Sequence, residues 1–201
     1  MDIEQIKRMT NTGEMYDDAA PDVARVRDHA LAECRRYNAK VNANEGYDMS
    51  ILTALFHEVG ENVYIESNFR CEFGFNISIG SEVYINHDMI ILDCNEVKIG
   101  NDVYIGPRAG LYAANHAEDP FERAEKGVYA KPIVLEDRVW LGGDVKITQG
   151  VTIGENSIIG AGSVVTKDIP PNVVAAGNPC KVIRPIRFSD TQWKRPNEGG
   201  K

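Results

Sequence analysis

One histidine of this chain stands where it could do acid–base chemistry. His116 lies at the start of the stretch "NHAEDPFERAEKGVYAK", residues 115–131, which fits no repeat although a six-residue repeat runs up to it and resumes after it. An imidazole titrates near neutrality, so it can take a proton from an attacking hydroxyl and return it to a leaving group. Asn86 follows "VYI" at a bend, where its amide can hydrogen-bond a hydroxyl, and Asp93 can accept from another. Both residue types are equally at home capping turns. From Lys181 to Arg195 there are five basic residues (Lys181, Arg184, Arg187, Lys194, Arg195) against one acid, Asp190. Such a basic run suits a phosphorylated ligand, or is a solvated tail. No Walker or dinucleotide glycine motif is present.

The elements that must position these residues fall into two parts. In the first 60 residues Val23, Val26, Ala30, Cys34 and Tyr37 form one helical stripe, with Asp22 as the expected N-cap after Pro21. A second helix is expected from about Ser50 to Glu58, with Gly60 as its stop, and "NANEGYD" between them reads as a loop. From residue 62 the pattern changes to hexads: "VKIGND VYIGPR AGLYAA", then "VWLGGD VKITQG VTIGEN SIIGAG SVVTKD", with earlier ones at "VYIESN", "ISIGSE", "VYINHD" and "MIILDC". An even period keeps the same positions pointing inward along a strand. Six residues make a short strand plus a bend, three hexads close an eighteen-residue triangular coil, and stacked coils bury one aliphatic column. Small irregularities fall near Phe73–Phe75 and Asn95–Glu96.

Composition bounds the rest. The chain has 201 residues, 43% hydrophobic and 26% charged, with a net charge of −8, which disfavours general nucleic-acid binding. No apolar run reaches bilayer length and no signal-peptide core is visible, so the expected location is cytoplasmic, without membrane contact. Cys34, Cys71, Cys94 and Cys180 lack the close spacing of a zinc or redox motif and read as buried thiols.

Four stretches carry a resemblance. "MYDD" with the following "APDVARVRDHALAECRRYNA", "RCEFGFNISIGSEVYINHDMIILD", "ANHAEDPFERAEKGVYAKPI" and "VWLGGDVKITQGVTIGENSIIGAGSVVTKDIPPNVVAAGNPCKVIR" together resemble the maltose/galactoside O-acetyltransferase family of hexapeptide-repeat acyltransferases, over roughly residues 5–187. The resemblance implies a mainly β fold: a left-handed parallel β-helix with an N-terminal α-helical module and a long protruding loop. The expected boundaries are 1–60 for the helical sugar-acetyltransferase module, 61–187 for the β-helix with its excursion at 115–131, and 188–201 for a tail. It implies acetyl-CoA as co-substrate, no required metal, a sugar acceptor and a homotrimer with sites between subunits. It makes His116 the catalytic base, and the backbone amide at Gly143 the support for the oxyanion, where a glycine leaves the amide accessible. Asp18, Arg27, Glu72, Tyr84, Asn86 and Asp93 match acceptor-side positions. Arg25 lies two residues from Arg27, and Glu72 stands where relatives commonly carry a shorter polar residue. Trp140, Gly143, Ala161, Thr166, Lys167, Lys181 and Arg184 match coenzyme A contacts, the cations suiting its phosphates.

Direct transfer is expected, since none of the four cysteines lies beside His116 in sequence. A γ-class carbonic anhydrase on the same kind of coil needs three metal-binding histidines, whereas His29 and His57 belong to the helical part, leaving only His87 and His116. A non-catalytic scaffold would have no reason to keep the excursion, Asn86 and the coenzyme A-like end together. An O-acetyltransferase for an antibiotic or a lipo-oligosaccharide would share the chemistry and differ in the acceptor.

Overall fold

The computed structural model describes residues 1–189; Asp190, Lys194 and Arg195 of the basic run lie outside the described residues. From Glu58 onward, strands mostly of two or three residues stack into three parallel ladders. Ladder I contains Glu58–Val59, Ile77–Ile79, Val97–Ile99, Ile133–Leu135 and Thr152–Ile153. Ladder II contains Tyr64–Ile65, Tyr84–Ile85, Tyr104–Ile105, Trp140–Leu141, Ile158–Ile159 and Val173–Gly177, the last closed by an antiparallel hairpin with Cys180–Pro185. Ladder III contains Arg70–Cys71, Ile90–Leu92, Gly110–Tyr112, Lys146–Thr148 and Val164–Val165. This is a hexapeptide-repeat β-solenoid of about six turns.

The hexad aliphatics point inward as the period requires. Ile65, Ile85, Ile105, Leu141 and Ile159 form one continuous buried column, and Val83, Val103, Val139 and Val145 back it. Each such side chain contributes about 1.5–3 kcal/mol on burial. Ser157 and Ser163 occupy the same register near the far end, where Ser157 donates to the Pro170 carbonyl at 2.9 Å and Ser163 to that of Gly160 at 2.5 Å. They also accept from the backbone of Val173 and Gly177, which ties down the closing strand.

The coil length is not uniform. Tyr64 pairs with Tyr84 and Tyr84 with Tyr104, a step of 20 residues. Trp140 pairs with Ile158, a step of 18. The expected eighteen-residue coil therefore holds only in the later turns. The extra residues all fall on one edge, between ladders III and I, where Phe73–Phe75 and Asn95–Glu96 bulge from the repeat. The other two edges keep strict six-residue spacing. There the turn residues recur in the left-handed region, as Asn62, Glu82, Asp102, Arg138, Asn156 and Asn172 on edge I/II and Asn68, Asp88, Arg108 and Asp144 on edge II/III. Bonds from turn to turn offset that strain, including Asn68 Nδ2 to Asp88 at 2.9 Å and Asn156 Nδ2 to Asn172 at 2.7 Å.

The helical module plugs the first coil. α1 (Ile3–Thr10) is closed by an Asp2–Gln5 capping box. α2 (Pro21–Asn42) buries the stripe read from sequence, Val23, Val26, Ala30, Cys34 and Tyr37. Its start differs from expectation: Pro21 is the first helical residue and Ala20 the cap, while Asp22 instead pairs with the chain's ammonium terminus and with Arg25. Proline fits there because the first helical N–H is unsatisfied anyway. Tyr37 donates to the Ile65 carbonyl at 2.5 Å, and Asn38 exchanges two bonds with the Phe69 backbone, so α2 is joined to the solenoid by polar contacts as well as apolar ones. α3 (Met49–Leu55) ends earlier than expected, because Phe56 is already extended and Glu58–Val59 pairs with Ser78–Ile79. The solenoid thus begins inside the segment assigned to the helical module. His57 stands at its threshold, its N–H donating to Ile77. Gly60 is the first of a glycine column on the coil, not a helix stop: an added Cβ would lie 2.6 Å from the Gly80 carbonyl carbon.

Candidate active site

The excursion leaves ladder III after Tyr112 and rejoins the coil at Ile133, which pairs with Val97. It is not a bare loop. Ala114–His116 pairs antiparallel with Gly127–Ala130, and α4 (Pro120–Ala124), capped by Asp119, turns the chain between them. The short strand Tyr16–Asp17 adds to the other side of this hairpin. Tyr16, Val128 and His116 are therefore successive cross-strand neighbours. Asn115 Nδ2 donates to the Tyr129 hydroxyl at 2.9 Å, pinning the strand that carries the histidine. His116 itself is exposed and makes no hydrogen bond to the described residues.

Edge III/I gathers most of the acceptor-side residues beside it. Arg27, on α2, donates Nε to Glu72 and Nη2 to Asp18, the latter at 2.5 Å. Its guanidinium lies 5.9 Å from the centre of the Phe73 ring. Arg25, the competing register, faces outward to Asp22 and the Met1 carbonyl, so Arg27 is the arginine of the cluster. Partial burial costs the guanidinium some basicity, but the two carboxylates outweigh it and hold its pKa above the ordinary value. One oxygen each of Asp18 and Glu72 is left over to accept from a ligand hydroxyl.

Asp93 behaves differently from expectation. It has no exposed surface, and its Oδ1 accepts from the backbone N–H groups of Glu72 and Phe73, both at 2.9 Å. It therefore does not contact an acceptor; it clamps the bulge that presents Glu72. Burial pushes its carboxyl up to about 6, against the pull of those N–H groups.

Tyr16 is a residue that sequence reasoning missed, although it lies in the quoted "MYDD". Its hydroxyl is buried and has no hydrogen-bond partner among the described residues. Burial foremost, then the Cys94 thiol and the charges of Asp18 and Glu72, push the phenol well above its ordinary value. It stays protonated and packs under the acceptor-side carboxylates.

The remaining residues lie on edge II/III and its ladder. Tyr84 donates to Glu66 at 3.1 Å, and Glu66 also accepts from Tyr47. Desolvation first and Glu66 second raise the Tyr84 phenol. Asn86 does cap its turn, Oδ1 accepting from His87 N at 2.8 Å, but its Nδ2 is left free to donate. Trp140 stands 53% exposed on the outer face of ladder II. At Gly143 an added Cβ would come no closer than 3.5 Å, to Pro107, so packing does not demand glycine there. Its N–H donates to no acceptor among the described residues, while its carbonyl is taken by Gly162. Ala161 lies one turn further along the same edge. Thr166 and Lys167 are back on edge III/I, and Lys181 and Arg184 project from the terminal hairpin.

A single chain therefore joins Asp18, Arg27 and Glu72 in one cluster, and the hairpin that carries His116 is tied to it through the Tyr16–Asp17 strand and the Asp18 N–H to the Lys126 carbonyl. It keeps Asn86, Trp140, Gly143 and Ala161 on edge II/III and its ladder. Among the described residues no three histidine, cysteine or acidic side chains converge as metal ligands, and no helix is long and apolar enough to cross a membrane.

Comparison with known proteins matches both the helical module and the solenoid. A maltose acetyltransferase hexapeptide capping motif matches residues 11–60, and the bacterial transferase hexapeptide (six repeats) matches residues 132–167. The galactoside O-acetyltransferase of Lactococcus lactis is 38% identical, over 94% of this chain and 91% of its own length. A maltose O-acetyltransferase structure from Clostridium difficile superposes with a TM-score of 0.87 at 39% identity, covering 91% of this chain and 98% of its own. A galactoside acetyltransferase solved in complex with coenzyme A does so with a TM-score of 0.83 at 35% identity, covering 97% and 100%.

Proposed function

Because the chain belongs to the maltose/galactoside O-acetyltransferase family, and is thus an acetyl-CoA-dependent O-acetyltransferase, we propose that it acetylates a sugar hydroxyl with His116 as general base. The observation that carries this reading is an exposed imidazole on a hairpin that the Tyr16–Asp17 strand and the Asp18–Lys126 backbone bond join to the Asp18–Arg27–Glu72 cluster. The cluster orients the acceptor through its spare carboxylate oxygens. His116 removes the proton of the attacking hydroxyl and later supplies one to the leaving thiolate. Acetyl-CoA supplies the thioester. The free N–H of Gly143 stabilises charge on the carbonyl oxygen during attack. Trp140 and Ala161 line the path of the pantetheine arm, and Thr166, Lys167, Lys181 and Arg184 meet the remainder of the coenzyme.

The separation of the two edges supports a homotrimer. A second copy laid beside the first brings its edge II/III against the first copy's edge III/I, so that each site takes residues from two chains. Rotational symmetry repeats the contact and closes the ring. The location is the cytoplasm.

The test is an acceptor screen with acetyl-CoA, following free thiol release and product mass with glucose, maltose, a β-galactoside, chitooligosaccharides and chloramphenicol. A singly acetylated sugar is the expected product. Acetylation of chloramphenicol alone would reassign the acceptor, and no thiol release with any of them would remove the sugar reading.

A further inference from the structure

Two buried thiols face each other where the helical module meets the solenoid. Cys34 on α2 and Cys71 on ladder III have their sulfurs 3.5 Å apart, although 37 residues separate them in sequence. The pair has no part in acetyl transfer. Closing that gap to a disulfide requires a sulfur–sulfur distance of about 2 Å.

We propose that Cys34 and Cys71 form a peroxide-responsive dithiol, oxidised to a disulfide that ties the helical module to the solenoid. Both thiols are buried, Cys34 at 1% and Cys71 at 8% exposure. Cys34 borders a surface hollow of about 560 Å³ together with Arg35, Asn38 and Arg70, and Cys71 is not among its lining residues. The hydrogen bond with the Cys71 thiol pulls the Cys34 thiol below its ordinary pKa, outweighing the burial and the Asp93 and Glu33 charges that oppose it. The same bond, with burial, pushes Cys71 well above the usual range. The roles are thereby divided.

The chemistry balances with the peroxide as oxidant. The Cys34 thiolate attacks one peroxide oxygen, breaking the O–O bond and leaving a sulfenic acid at Cys34 and hydroxide, which takes up a proton. The Cys71 sulfur then attacks Cys34, the S–S bond forms, and the sulfenic oxygen leaves as water. Two thiols and one hydrogen peroxide give one disulfide and two waters; a reducing thiol reverses it. The cross-link joins the helix carrying Arg27 to the residue preceding Glu72, so it bears on the acceptor-side cluster.

The test uses the full chain, treated with hydrogen peroxide, alkylated in denaturant, digested without reduction and analysed by mass spectrometry. A linked Cys34–Cys71 peptide is expected, with two of the four free cysteines lost to alkylation and restored by dithiothreitol. In Cys71→Ser the same treatment should leave a sulfenic acid at Cys34 that dimedone captures. Cys94 and Cys180 serve as internal controls. The proposal is overturned if Cys34 and Cys71 both remain alkylatable, if Cys34 links to Cys94 or Cys180, or if wild-type Cys34 proceeds to sulfinic acid without a disulfide. None of these readouts depends on transferase activity.

Discussion

Edges II/III and III/I of the same solenoid are built on opposite principles. On edge II/III every turn repeats, with a left-handed residue at Asn68, Asp88, Arg108 and Asp144 in the same place. On edge III/I the two early turns each carry two residues more than the hexad, with bulges at Phe73–Phe75 and Asn95–Glu96, and the whole excursion emerges there. The regular edge offers rigid, evenly spaced backbone, which suits an oxyanion donor and a long thin coenzyme. The irregular edge offers space for side chains that the repeat cannot place, including the proposed base His116 and the Asp18–Arg27–Glu72 cluster braced by α2. Chemistry that needs both must draw on both edges, and one chain cannot fold them together.

The comparison breaks first at His116. His116→Ala should lower kcat by roughly 10²–10⁴-fold while leaving acetyl-CoA binding intact by calorimetry. Turnover within a few-fold of the parent would mean that the irregular edge does not supply the base.

A mixing experiment asks whether the two edges meet between copies. His116→Ala spoils edge III/I and Asn86→Ala spoils edge II/III. When the two inactive proteins are dissociated and reassembled together, some interfaces pair two intact edges, so roughly a quarter of parental activity should return. If no activity returns although mass spectrometry shows mixed oligomers, the site lies within one chain.

Next in size is the buried clamp at edge III/I. Asp93 has a folded-state pKa of about 6, above the unfolded carboxylate. Its protonated form therefore favours folding: that contribution is fully present below about pH 4 and is lost as pH rises through 6. The loss amounts to about 2–3 kcal/mol. Asp93→Asn should flatten the stability profile between pH 4 and 6, read from urea midpoints, and should raise the acceptor KM more than that for acetyl-CoA because Glu72 loses its support. A profile unchanged in shape would show that Asp93 does not titrate in that window.

The two edges were unequally legible in the sequence. The hexad period determines which side chains face inward, so ladders, core column and the α2 stripe could all be read from spacing. Period also locates His116, because it stands where the repeat stops. It cannot show that the excursion is a hairpin, since Ala114–His116 and Gly127–Ala130 are too short to signal strands and depend on Tyr16–Asp17 from far away in the chain. Nor can it bury Asp93, whose role follows from the backbone of Glu72 and Phe73 bulging toward it. Roles such as oxyanion donor came from family likeness, and spacing carries no reaction.

The smallest effect separates structural glycine from functional glycine. An added Cβ at Gly100 would stand 2.8 Å from the Asp137 nitrogen and 2.9 Å from the Glu136 carbonyl carbon, both backbone atoms of the next coil. Gly100→Ala must spread two coils and should cost about 1–3 kcal/mol. At Gly143 the nearest atoms to such a Cβ are those of Pro107 at 3.5 Å, ordinary van der Waals contact. Gly143→Ala should therefore leave the unfolding midpoint within measurement error. Its N–H remains, so kcat should fall only as far as the new methyl crowds the acyl group. Gly100 lies on edge I/II and Gly143 on edge II/III, both regular; equal destabilisation by the two substitutions would mean that the regular edges use both glycines for stacking, and that Gly143 has no separate reason to be one.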